Sequence, residues 1–138
     1  MSKIYNIYIS HSWSYPGDYD RLKDLMNNNP YFDFIDYSLS KNDRIHHPAN
    51  DDALYQAIYR NVRLCQIVLI MAGLYSVYSR WIDKEIEVAK EGFSKPRPIL
   101  VIKPRIGTEV SSFVAQNADG IVNWDKEFII SAIRSLVP

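Results

Sequence analysis

Gln66-Ile67-Val68-Leu69-Ile70-Met71-Ala72-Gly73 is the stretch on which the fold turns. From Gln66 to Met71 it is almost continuously apolar, as a parallel strand covered by helices on both faces must be, and Ala72-Gly73 ends it. On its N-terminal side Asn50 is placed to cap a helix whose Leu54, Ala57, Ile58 and Asn61 or Val62 form a one-sided stripe, with Asp51 and Asp52 suited to the helix dipole. On its C-terminal side a helix is expected from about Ser79 to Glu91, with Ile82, Ile86 and Ala89 facing the core and Gly92 as its cap. Further out, Ile4 to Ile9 reads as a strand ending in Ser10-His11-Ser12, and Pro16-Gly17 breaks the chain. Tyr19, Leu22, Leu25 and Met26 then mark a helix that stops at Asn27-Asn28-Asn29-Pro30, before a strand at Phe32 to Ile35. Pro98 to Lys103 is a fourth strand and Gly120 to Asn123 a fifth. Between them lie a Pro104-to-Thr108 turn and a weakly patterned segment, and a last helix carries Ile129, Ala132, Ile133 and Leu136 on one face. Alternating strands and helices predict an α/β fold: a flavodoxin-like open five-stranded parallel sheet with helices on both faces, over a single domain 1–138. In such sheets ligands bind at the carboxyl ends of the strands.

The composition narrows the function classes. Sixteen Lys and Arg balance sixteen Asp and Glu, so no global field draws the chain to nucleic acid or anionic lipid. The longest apolar run, Ile67 to Leu74, is far short of the ~20 residues a spanning helix needs, and Met1-Ser2-Lys3-Ile4 opens directly into strand pattern. A cytoplasmic protein without membrane association is expected. The single Cys65, at the head of the central strand, reads as a buried inert thiol. Ten tyrosines, three tryptophans and five phenylalanines permit a site that stacks on a flat ligand, or simply fill the core.

The chemistry-bearing candidates cluster at the expected ligand edge. On the helix after the central strand, Asp83 lies within reach of Arg80, and Glu87 is three residues from both Lys84 and Lys90. Glu85 has no cation at helical spacing. Its neighbours there are Trp81, Ile82, Val88 and Ala89, surroundings that raise a carboxylate's pKa, a pattern enriched at functional sites. The alternative is a glutamate at the helix rim pointing into water. Trp81 precedes Glu85 by one turn, placed either to stack on a ligand or to cap the core. His11 stands at the ligand edge in either a contact or a turn role. His46-His47 has no metal-site spacing around it, so no metal is expected. The Tyr37 to Asn50 loop is long and polar, a length usually functional or mobile. Neither a GxGxxG nor a GxxxxGK[ST] motif is present. A phospho-acceptor receiver domain is also excluded, since Ser10-His11-Ser12 and Met71-Ala72-Gly73 supply no acid at the strand ends.

Ile7-Tyr8-Ile9-Ser10-His11-Ser12-Trp13, with Asp18-Tyr19-Asp20-Arg21-Leu22 after it, resembles the TIR-like family of bacteria and archaea that includes the TIR subunit of Thoeris anti-phage systems. Ser79-Arg80-Trp81-Ile82-Asp83-Lys84-Glu85-Ile86 is similar to the tryptophan-to-glutamate helix motif of catalytic TIR domains, and Ala118-Asp119-Gly120-Ile121-Val122-Asn123-Trp124 to the family's last strand. The resemblance implies that Glu85 is the catalytic residue for cleaving NAD. It also implies that Ser10, His11, Ser12, Trp13 and Trp81 help bind the dinucleotide, and that the Tyr37 to Asn50 segment corresponds to the mobile loop of TIR domains. NAD is then a substrate and no cofactor is called for. The implied activity is that of an NAD glycohydrolase or ADP-ribosyl cyclase, making an ADP-ribose-derived and expectedly cyclic signal in anti-phage defence. The implied partners are a separate effector protein responding to that product, a phage-derived trigger, and further copies of the chain through self-association. Two other readings stay open: a nucleoside deoxyribosyltransferase-like enzyme, which explains Glu85 but not Trp81 together with the Ser10 turn, and a noncatalytic TIR interaction scaffold.

Overall fold

The computed structural model describes residues 3–10, 17–39, 50–73 and 75–138. Five strands form one parallel sheet in the order β2-β1-β3-β4-β5. They are β1 (Ile4–Ser10), β2 (Asp33–Asp36), β3 (Ile67–Met71), β4 (Ile99–Lys103) and β5 (Gly120–Asn123). The helices are α1 (Gly17–Asn27), α2 (Asp51–Val62), α3 (Tyr75–Glu91), α4 (Ser112–Asn117) and α5 (Lys126–Leu136). The register pairs Ile7 with Ile67, Leu69 with Leu100 and Val101 with Ile121. This is the flavodoxin-like order, and its topological switch point lies between β1 and β3, where successive crossovers diverge to opposite sides.

The alternation of strand side chains divides the core into two layers. Ile7, Ile9, Ile67, Leu69, Leu100 and Ile102 pack with Leu22 and Met26 of α1 and with Ile129 and Ile133 of α5. Tyr8, Val68, Ile70 and Val101 pack with Leu54 and Ile58 of α2, Ile82, Ile86 and Ala89 of α3, and Val114 of α4. All five residues of β3 are buried, as its unbroken apolar run requires of a strand covered on both faces. Asn50 caps α2 through its side-chain oxygen, which accepts from the Ala53 amide at 2.8 Å. No helix among the described residues is long and apolar enough to cross a membrane.

Three local expectations change. The weakly patterned segment after β4 contains α4, capped by the Ser111 hydroxyl at the Val114 amide. A six-residue helix that buries only Val114 is too short to print a periodic stripe. α3 begins at Tyr75, one turn before Ser79. Gly92 does not end α3 in a left-handed cap, since the positive φ angles among the described residues belong to Gly73 and Gly107. Its amide instead continues the helical pattern to the Val88 carbonyl at 2.9 Å. A side chain there would meet that same carbonyl oxygen at 2.6 Å and the Tyr55 hydroxyl at 3.1 Å. Gly92→Ala is therefore expected to destabilise the fold by about 1–3 kcal/mol, as steric overpacking does. Urea unfolding checks this, and a Gly92→Ala protein as stable as the parent would show that the α3 terminus yields without cost.

Candidate active site

β1 ends at the switch point, and its pleat points Tyr8 and Ser10 to the same side, toward α2 and α3. α3 runs back along the sheet after the tight turn at Ala72-Gly73, where Gly73 takes φ 94°. Its core-facing residues Ile82, Ile86 and Ala89 follow helical spacing, and Glu85 falls within that buried arc. The Ser10 hydroxyl donates to Glu85 Oε1 at 2.5 Å. Tyr8, on the same face of β1, is buried in the layer that α2 and α3 cover. Apart from tyrosines and Cys65, Ser10 and Glu85 are the buried polar side chains among the described residues, each 4% exposed. They are bonded to each other.

Burial pushes the Glu85 carboxyl up to about 7, against the smaller downward pull of the hydrogen bond from Ser10 and of the nearby Tyr8 phenol. The rim orientation into water is thus excluded. The Tyr8 phenol is raised well above its ordinary value, by burial first and by the neighbouring Glu85 charge second, so it remains a donor throughout the neutral range. The other α3 acids behave differently. Glu87 accepts from Lys84 at 2.8 Å, as spacing allowed, whereas Arg80 reaches across to Asp51 of α2 at 3.0 Å and Lys90 to Asp119 at 2.5 Å.

Trp81 is half-buried and packs on the Tyr8 layer of the core, so the core-capping reading holds for part of its surface. One helical turn separates it from Glu85, about 6 Å along the axis. His11, Ser12, Trp13, His46 and His47 lie outside the described residues. So does most of the Tyr37 to Asn50 loop, whose described beginning is firmly rooted. Leu39 is buried beside Leu54 and Ile58, Asn61 Nδ2 donates to the Tyr37 carbonyl at 2.8 Å, and the Ile9 amide donates to Ser38 Oγ at 2.7 Å. Asp36 organises this root. Burial alone would raise its carboxyl, but hydrogen bonds from Ser38 and from the Tyr19 hydroxyl, with Lys23 nearby, bring it below the ordinary range. Among the described residues no three metal-ligating side chains come together. Cys65 is buried, its Sγ donates to the Asn61 carbonyl at 3.3 Å, and burial pushes the thiol up to about 12, which makes it inert near neutrality.

Tyr8 is the residue that sequence reasoning missed. Its two-residue spacing from Ser10 was the available signal, since alternate residues of a strand share a face.

A family model described as Thoeris protein ThsB, TIR-like domain, matches residues 8–108, a span that contains Tyr8, Ser10, Trp81 and Glu85. No curated protein matches the chain. Among solved structures, the crystal structure of the IL-17 receptor B SEFIR domain is similar with a TM-score of 0.59, over 97% of this chain and 95% of that one. The identity is 8%, so this likeness speaks to the fold alone.

The raised Glu85 carboxyl carries a stability consequence. Its value is about 7 in the folded chain against an ordinary 4.5, so both states hold the proton at low pH. Between those values the folded state keeps a proton that the unfolded state releases, and stability falls as pH rises through about 7. Glu85→Gln is neutral throughout and removes this slope. Relative to the parent it should gain up to about 3 kcal/mol between pH 5 and pH 8. Urea unfolding of both proteins at the two pH values measures this, and parallel pH dependence would show that Glu85 is ionised in the fold at both.

Proposed function

The chain belongs to the Thoeris ThsB TIR-like family, and from that premise we propose that it cleaves the nicotinamide–ribose bond of NAD, with Glu85 as the catalytic carboxylate. The observation that carries this reading is the buried Glu85 carboxylate, poised near neutrality beside Ser10 at the switch point of the sheet.

In NAD the leaving nicotinamide departs as a neutral ring from a positively charged glycosidic nitrogen. No general acid has to protonate it, unlike the leaving oxygen of an O-glycoside, which two carboxylates serve. One carboxylate suffices. As the bond breaks, positive charge grows on the ribose, and the Glu85 carboxylate stabilises that charge or holds the ribose hydroxyls. Its apolar surroundings strengthen this interaction relative to water. The attacking group then decides the product: water gives ADP-ribose, and a hydroxyl of the same molecule gives a cyclic isomer. A site that excludes water favours the cyclic product, which would serve as the signal to a separate effector protein in anti-phage defence. Trp81 offers a stacking surface one turn from Glu85, and Ser10, His11, Ser12 and Trp13 line the same edge in this reading. Control would fall to a phage-derived trigger or to self-association acting through the 37–50 segment, as the family resemblance implies.

A noncatalytic scaffold is the second reading, favoured by one observation: the Glu85 carboxylate is buried and bonded to the Ser10 hydroxyl, as a purely structural acid would be. Incubation with NAD, and separately with a deoxynucleoside and a free base, distinguishes these cases. Release of nicotinamide supports the proposal, base exchange points to a deoxyribosyltransferase, and neither product leaves the scaffold.

Glu85→Gln should lower NAD cleavage on the order of a hundredfold or more, as loss of a main electrostatic stabiliser does, while the parallel change at Glu87 does little. Because the ionised form is the active one, kcat/KM in the parent should be half-maximal near pH 7 and fall below it. A rate that stays flat down to pH 5 would contradict the assignment. Trp81→Ala should raise KM or lower turnover per folded molecule, with Trp81→Phe partly retaining both. Unchanged activity with only a lowered melting temperature would confine Trp81 to the core.

A further inference from the structure

We propose that the cleft at the amino-terminal ends of β3 and β4 binds an oligophosphate anion, inorganic or as the tail of a nucleotide, on Arg63, Lys95 and Arg97. The cleft has a volume of about 400 Å³, the size of a small-molecule site rather than of a single ion. It lies on the opposite edge of the sheet from Glu85. Gln66 lines it one residue before β3, whereas Ser10 is paired with Ile70, about 13 Å further along that strand. All three cations line the cleft, and no acidic side chain does so among the described residues. Val137 and Pro138 line it too, but their main-chain oxygens accept from Lys3 Nζ at 2.8 and 2.7 Å.

Arg97 is fixed in place by neutral groups. Its amide donates to the Ala89 carbonyl at 2.8 Å, its Nη1 to the Lys95 carbonyl at 2.9 Å and its Nη2 to the Arg63 carbonyl at 3.1 Å. The guanidinium carbon lies 4.1 Å from the centre of the Phe93 ring, which is itself stacked on Tyr59 at 5.0 Å. Pro96 and Pro98 stiffen the backbone on either side. None of these partners carries a formal negative charge, and Nε is buried with no hydrogen-bond partner among the described residues. A partly desolvated cation without a counter-charge is costly, and a buried donor left over in an otherwise well-bonded side chain calls for a group that completes it. Arg63 and Lys95 are exposed and likewise have no ion pair among the described residues. Elsewhere the pattern is reversed, since Arg21, Lys23, Arg80, Lys84, Lys90 and Arg105 each meet a carboxylate. A single carboxylate would leave most of the charge at the cleft unmatched. An oligophosphate brings several negative charges and a row of acceptor oxygens, which suit a pre-organised guanidinium flanked by two further cations.

The test is calorimetric titration of the protein with ATP, pyrophosphate and adenosine at low and high salt, with amide shifts of ¹⁵N-labelled protein to locate binding. ATP and pyrophosphate should bind, more weakly as salt rises, and adenosine should not. Equal affinity for the two phosphates would assign the cleft to the phosphate chain alone, and tighter ATP binding would add its nucleoside; both support the proposal. The perturbed amides should be those of residues 63–66, 95 and 97, with Ser10 and Glu85 unmoved. Arg63→Ala and Lys95→Ala change exposed side chains and should each raise Kd about three- to tenfold, the range for loss of one solvent-exposed charge contact, with a larger loss in the double variant. Lys126→Ala, an exposed cation of α5 outside the cleft, should leave Kd unchanged. None of these readouts depends on NAD cleavage. Absence of saturable binding up to about 5 mM at low salt, where even a weak site would fill, would overturn the proposal. So would shifts centred on Ser10 and Glu85, or an equal weakening by Lys126→Ala, which would mark a general effect of charge.

Discussion

A carboxylate placed inside the apolar layer between β1 and α3 is the constraint around which the rest of the site is arranged. Left without partners, such a group would be too costly to keep, and the chain resolves this with a hydroxyl rather than with a cation. The choice has a chemical consequence. An arginine or lysine partner would hold the carboxyl firmly ionised and far below neutrality, whereas a neutral hydroxyl donor leaves burial dominant and the group close to neutrality. Asp36, less than 30 residues along the chain from Ser10, shows the opposite balance. There, several hydrogen bonds and Lys23 overcome burial, and the carboxyl stays ionised as an anchor for the root of the 37–50 segment.

The fold places the two halves of this arrangement without special devices. β1 and β3 are adjacent because the strand order reverses between them, so the end of β1 meets the helix that follows β3. Residues 75 positions apart in sequence come within a hydrogen bond there. The cost of the buried charge falls on the deepest part of the sheet, where β3 and β4 supply large apolar burial on both faces. A chain stabilised by that core can hold one poorly solvated acid where an edge element could not.

Much of this was legible in the sequence, and the limits follow from physics. The unbroken apolar run of β3, the Asn50 cap and the stripes of α2 and α5 are local signals, and the elements lie where those signals put them. Glu85 stood out by subtraction, as the α3 acid without a cation at helical spacing, and its burial agrees with the apolar neighbours that were read around it. Its partner was not legible in the same way. Alternation places Tyr8 and Ser10 on one face of β1, but only tertiary packing decides which helix covers that face. The same limit applies to the ion pairs of α3, where Arg80 and Lys90 prefer carboxylates on other elements to those three residues away. α4 escaped because one buried valine makes no period, and the role of Gly92 because a close carbonyl leaves no mark in sequence.

The proposed meeting of the Glu85 carboxylate with the ribose of NAD is measured most directly through its ¹³C carboxyl resonance during titration with a non-cleavable carbocyclic NAD analogue. The Glu85 signal should shift saturably with the analogue, and its ionisation midpoint should fall in the complex because the cationic nicotinamide end favours the charged form. Saturable binding that moves other carboxyl signals while leaving that of Glu85 unchanged would place the ligand elsewhere and contradict it.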